Sequence, residues 1–155
     1  MKTILGLLLF FSLSGISNAQ GLSSVEQTST KLKIQSEDAN KIESNVLQML
    51  KGSISDREYK AGINAYDATH EFETYITSLL TLSYVYDAML DNRDKVIVKK
   101  YFDLQCKSTT KMGEFSIITV NKALPSIQST ALVNELTKMR DASINMLQTL
   151  EFCKN

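Results

Sequence analysis

The sequence predicts an all-α protein: a single-domain, up-and-down four-helix bundle with one disulfide. Apolar residues recur at alternating steps of three and four along several long segments, which is the spacing of one helix face. Only six glycines and one proline occur in 155 residues, which is few for a loop-rich or all-β chain. Two cysteines, Cys106 and Cys153, remain beyond an N-terminal export signal.

Residues 1–19 have the features of a cleaved secretory signal peptide. Lys2 supplies the positive start, residues 4–13 form the apolar stretch, and Ala19 is the small residue at the cleavage point. The apolar stretch is about half of the roughly 20 residues that a membrane-spanning helix needs. We therefore expect a mature chain that begins at Gln20, has no membrane span, and is periplasmic or secreted.

The first helix is predicted to begin at Ser36, after a flexible polar segment over residues 20–35. That segment is rich in Ser, Thr and Gln and has no sustained apolar period. Ser36 is a suitable N-cap, and Gly52 marks the C-terminal end. The bundle domain is thus expected to span residues 36–155.

The second helix is predicted from about residue 55 to residue 90. Ser55 and Glu58 have the spacing of a capping box. Its apolar face then follows steps of four and three, and at about 1.5 Å per residue the helix would be about 50 Å long. The face consists of Phe72, Ile76, Leu79, Ser83, Tyr86 and Leu90.

A third helix is predicted to open at the turn-and-cap cluster of residues 91–94. Gly113 and the β-branched residues within 117–120 lower its helix propensity, but a strand there would have no second strand to pair with. Pro125 marks the next turn. The fourth helix is expected over about 126–152, with an unbroken face of Leu132, Leu136, Met139, Ser143, Met146, Leu150 and Cys153.

The two cysteines are expected to form the disulfide. An even number of cysteines in an exported chain favours a bond. If the third and fourth helices run antiparallel, Cys106 lies within a turn or two of the level of Cys153. Two separate buried thiols remain the alternative.

Charge and motifs argue against several functions. The chain has 17 basic and 17 acidic residues, whereas nucleic-acid binders carry a basic excess. His70 is the only histidine, and Thr74 stands where a zinc-protease helix needs a second one. We therefore expect no enzyme activity, no catalytic residues, no metal and no cofactor. Haem held by His70 and a methionine such as Met139 remains an alternative.

Tyrosine is unevenly distributed. Tyr59, Tyr66 and Tyr84 fall within about 20° of one another on the second helix, with His70 close by. Tyrosine suits both internal packing and protein interfaces, so these four residues are the candidate interface, with packing as the alternative. Five lysines on the third helix could bind anions or could simply be solvated: Lys95, Lys99, Lys100, Lys107 and Lys111.

The sequence thus predicts an exported helical protein that acts by binding another protein. The specific expectation is an inhibitor or immunity protein that neutralises a toxin or wall hydrolase, because such inhibitors need a rigid surface and no chemistry of their own. A carrier of a small ligand, haem or metal, or an envelope adaptor or chaperone, is the alternative. The sequence also leaves a homo-oligomer open.

Overall fold

The computed structural model describes residues 5–52 and 54–154, and the surroundings of side chains over 28–52 and 54–153. Within those ranges the chain is helical and contains no strand, as predicted. The four α-helices are α1 (Leu5–Leu50), α2 (Asp56–Ala88), α3 (Asn92–Ala123) and α4 (Thr130–Thr149). Short 3-10 helices, Leu124–Ser126 and Leu150–Lys154, follow α3 and α4.

The helices form the predicted four-helix bundle. Each packs against the next one along the chain, and α4 also packs against α1, which closes the ring. The connections between successive helices are short, so neighbouring helices run antiparallel. In this arrangement α3 lies diagonally opposite α1.

The first helix begins earlier than the sequence predicted. Ser36 is a buried residue inside α1 and caps nothing, and Leu32 is only 1 % exposed. Leu32, Ser36 and Ala39 continue the four-and-three spacing of the buried face, so the predicted start at Ser36 is wrong. The side chains of residues 1–27 lie outside the described part, and signal cleavage there stays a prediction.

The other helix starts follow from their caps. Ser55 and Glu58 form the predicted capping box, since each side chain bonds to the other residue's backbone N–H. The Asp91 carboxylate accepts from the Arg93 N–H at 2.7 Å. Helix α4 is capped by Ser129 and begins later than the predicted residue 126, because Pro125 lies in a 3-10 turn before it.

A buried polar layer divides the core into two apolar clusters. Thr69, Ser116 and Ser143 come from α2, α3 and α4 and are fully buried. The Ser116 hydroxyl lies 2.9 Å from that of Thr69 and 3.3 Å from that of Ser143. One cluster contains Val46, Leu50, Ala65, Val120, Ala123, Ile127, Leu132, Leu136 and Met139. The other contains Leu32, Ala39, Phe72, Ile76, Leu79, Cys106, Met146 and Leu150.

The predicted cysteine pair is brought together at the C-terminal end. Cys106 of α3 and Cys153 of the last 3-10 helix are disulfide-bonded, with Cα atoms 5.2 Å apart. Next to the bond, the rings of Phe102 and Phe152 stack with centroids 6.2 Å apart. The chain's C-terminal turn is thereby fixed against α3.

Close packing of α3 against α2 depends on a residue without a side chain. A Cβ atom on Gly113 would lie 2.7 Å from Cζ of the fully buried Phe72 ring. We expect Gly113→Val to lower the free energy of unfolding by about 1–3 kcal/mol through overpacking. Urea denaturation followed by circular dichroism measures this, with Ser108→Val at an exposed site of α3 as the control. Equal losses in the two variants would refute the steric explanation.

Candidate functional site

The candidate interface residues lie along the side of α2 that faces α1. Tyr66 is half-buried and packs against the core, whereas Tyr59 and Tyr84 are 46 % and 57 % exposed. His70 is exposed and stacks on Tyr66, with ring centroids 5.7 Å apart. The four candidate interface residues therefore differ in their surroundings. Tyr66 is largely a packing residue, and the other three reach solvent.

Two buried carboxyl groups accompany these residues. Glu43 of α1 is 3 % exposed and Glu73 of α2 is 4 % exposed. One Glu43 oxygen lies 3.1 Å from Nδ1 of His70, while the Oε1 atoms of both glutamates have no hydrogen-bond partner. We refer to Glu43, Tyr66, His70 and Glu73 as the α1–α2 seam.

Burial sets the proton affinity of the seam. It raises the pKa of Glu73 to about 8, and the negative charge of Glu43 adds to this effect. Burial also raises the pKa of Glu43, although the hydrogen bond to His70 opposes the shift. The pKa of Tyr66 is raised as well, by burial and then by the charge of Glu43. Glu73 therefore keeps its proton at neutral pH.

The seam can hold and release a proton near neutral pH. It does not assemble a metal site: nowhere in the described ranges do three or more His, Cys, Asp or Glu side chains group so that they could hold a metal ion. Sequence reasoning missed both glutamates. Glu43 did carry a signal, because it stands at a core position between Ala39 and Val46 in the four-and-three pattern.

A third glutamate, Glu58, links two helix starts. Its Oε1 accepts the backbone N–H groups of Gln128 and Ser129 at 2.8 and 3.0 Å, at the start of α4, and its Oε2 completes the capping box with Ser55. These hydrogen bonds to the charged form lower the pKa of Glu58 to about 2. The carboxylate joins the beginning of α2 to that of α4.

Glu58 is expected to make stability fall in acid. Since its pKa is lower in the folded state, the stabilisation is present above the unfolded pKa of 4.5 and is lost as the pH falls towards 2. We expect Glu58→Gln to lower the urea midpoint at pH 7 and to reduce the loss between pH 4.5 and pH 2. The exposed Glu71→Gln serves as the control. A Glu58→Gln midpoint equal to wild type at pH 7 would contradict this role.

A shallow open groove of about 310 Å³ lies between α1 and α4. Within it the Gln35 amide nitrogen donates to the Asn145 carbonyl oxygen at 3.4 Å. Its lining mixes both charges with the apolar residues Ile42 and Ala142, and the groove is open to solvent, whereas small-ligand pockets enclose most of the ligand. The lining residues are Gln35, Asp38, Ile42, Lys138, Asp141, Ala142 and Asn145.

In the part of the chain that the structure describes, none of the helices has the length and apolarity needed to cross a bilayer. No protein-family model, curated protein or solved structure matches this chain.

Proposed function

We propose that this protein is exported and acts by binding another protein, as an inhibitor or immunity protein that blocks a toxin or wall hydrolase. The observation that carries the proposal is the exposure of Tyr59 and Tyr84 on α2. About half of each side chain reaches solvent, and the exposed His70 lies between them on the same side of the helix. Aromatic side chains of this kind dominate the energetics of protein interfaces.

The rigidity of α2 supports this proposal. The helix packs against both α1 and α3, and its first turn is fixed by the capping box. A tyrosine on such a scaffold has few degrees of freedom to lose when a partner binds. Tyr59 and Tyr84 are 25 positions apart, which corresponds to about 38 Å along the helix. The proposed surface is therefore elongated.

The proposal is tested with wall hydrolysis as the readout. Wild-type protein is expected to slow the clearing of a peptidoglycan suspension by an envelope extract of the same organism. Tyr59→Ala/Tyr84→Ala should weaken this inhibition by about 30-fold or more, since tyrosines at interface hot spots contribute about 1–2 kcal/mol each and each 1.4 kcal/mol corresponds to about tenfold.

The matched control is Ile34→Ala/Val96→Ala, which removes two exposed apolar side chains from α1 and α3 and should inhibit like wild type. Circular dichroism must show unchanged helicity in all variants. Full inhibition by the double variant would exclude the tyrosines from the interface. Clearing at an unchanged rate with wild type would reject the hydrolase-inhibitor assignment.

A further inference from the structure

The solvent-facing side of α3 carries an unusual amount of apolar surface. Five large apolar side chains there are each 50–61 % exposed. At about 100° per residue they fall within a sector of about 100°, directed away from buried residues such as Val98, Ser116 and Val120. The five are Ile97, Tyr101, Leu104, Phe115 and Ile118. Together with four lysines they form what we call the outer face of α3.

The four lysines are Lys100, Lys107, Lys111 and Lys122, all exposed. They lie within or beside the same sector. Of the acidic residues, Asp94 lies beside the opposite edge, whereas Glu114 and Asp103 lie farther out. None of the four lysines has an ion-pair partner among the described residues; Lys99, outside the face, bonds instead to Asp103 at 3.0 Å. Although the chain is neutral as a whole, this face is locally basic.

We propose that the outer face of α3 docks the protein onto an anionic lipid bilayer. Lysines interleaved with aromatic and aliphatic side chains are the pattern of helices that lie in a membrane interface. The apolar side chains would enter the boundary between headgroups and acyl chains. The long lysine side chains would keep their ammonium groups at the level of the lipid phosphates. The face extends over 25 positions, about 38 Å, and is carried by a helix that the bundle already holds folded.

The shape of the outer face of α3 favours binding to a flat surface such as a bilayer. It is the outermost ridge of a single helix, whereas helix-binding proteins offer a groove between elements. A second copy of this chain is disfavoured by charge. Lys111 and Lys122 occupy the apolar spacing where a coiled coil needs hydrophobic residues, and a parallel pairing would also place each lysine against its own copy.

The test is co-sedimentation of the exported protein with lipid vesicles. One vesicle preparation contains phosphatidylcholine and phosphatidylglycerol at three to one, and the other contains phosphatidylcholine alone. We expect binding to the anionic vesicles that weakens in high salt. Lys100→Gln/Lys107→Gln/Lys111→Gln should weaken it by roughly 100-fold, since each lysine near an anionic surface contributes about five-fold.

A second variant tests the apolar contribution. Ile97→Ser/Leu104→Ser removes two exposed side chains and leaves the charge unchanged, and it should also reduce binding. The control Lys31→Gln/Lys33→Gln/Lys60→Gln removes the same charge from exposed sites on α1 and α2 and should bind like wild type. The wild type and all variants are purified with the same N-terminus. Residues 1–19 therefore cannot cause a difference in vesicle binding between them.

Several results would overturn the proposal: no binding to anionic vesicles, equal binding to both vesicle types, or equal loss in the two lysine variants. Isothermal titration calorimetry with an acidic amphipathic peptide tests whether the face binds a protein partner instead of a membrane. Peptide binding that the α3 lysine variant abolishes, without any vesicle binding, would assign the face to a protein partner and reject the membrane.

Discussion

Replacing Cys106 and Cys153 together by alanine is expected to lower the free energy of unfolding by about 4 kcal/mol. The bond joins residues 47 positions apart, and closing a loop of this size removes about that much chain entropy from the unfolded state. The C-terminal 3-10 helix should also lose its fixed position beside Phe102. Urea denaturation of the oxidised wild type and the double variant measures the difference.

Reduction of the wild-type protein provides the matched comparison. A reducing agent should bring its urea midpoint close to that of the double variant, and it should leave the variant's midpoint unchanged. Non-reducing peptide mass spectrometry should identify a Cys106–Cys153 linkage before reduction. A midpoint that does not respond to reduction would show that the bond contributes nothing to stability.

Replacing Glu73 by glutamine is expected to remove a strong dependence of stability on pH. The folded pKa of about 8 exceeds the unfolded value of 4.5. The stabilisation is therefore complete below pH 4.5 and is lost as the pH rises towards 8. Between pH 4.5 and pH 8 the free energy of unfolding of the wild type should fall by about 2–4 kcal/mol. This range is smaller than the full pKa difference implies, because solvent partly screens the Glu73 carboxyl group. Glu73→Gln should keep most of that stability.

The comparison needs urea denaturation at pH 5, 7 and 9 with the exposed neighbour Glu71→Gln as the control. That control should follow the wild-type profile, and the Glu73→Gln profile should be flatter and higher at pH 9. Glu43 supports the same trend, since its pKa is also raised by burial. Parallel profiles for wild type and Glu73→Gln would contradict a protonated Glu73 in the folded protein.

Much of the fold followed from local signals in the sequence. The capping box at Ser55 and Glu58 depends on two side chains and nearby backbone, so it could be predicted from residue types alone. The third helix was a harder case, because Gly113 and the β-branched residues after it disfavour a helix. In the structure tertiary packing overrides that propensity: Gly113 lets Phe72 approach closely, and Val120 is buried in the core.

The start of α1 could not be predicted because serine has two roles in helical proteins. Ser36 has the residue type of an N-cap, but it is also small enough for a tight position in a helix interface. Only the burial of Leu32 one turn earlier decides between them. The polar segment contains four large apolar residues, Leu22, Val25, Leu32 and Ile34, and these are too weak a signal to extend a helix.

The candidate site could be predicted only in part, because burial of its residues depends on how α1 and α2 pack together. The angular position of the tyrosines placed them correctly on one side of α2, but angle alone does not tell where α1 covers them. Tyr66 lies where the helices pack, while Tyr59 and Tyr84 do not. The buried glutamates depend on the same pairing, since a carboxyl group becomes buried only when a neighbouring helix covers it.

The polar layer of Thr69, Ser116 and Ser143 also influences how the helices are aligned along their axes. The flanking core positions are mostly occupied by apolar side chains, which would tolerate a neighbouring helix displaced by one turn, about 5.4 Å. Such a displacement would separate the Ser116 hydroxyl from those of Thr69 and Ser143, which also donate to carbonyl oxygens of their own helices. The buried Ser116 hydroxyl would then have no hydrogen-bond partner, which is costly, so the layer favours the observed axial alignment of α2, α3 and α4.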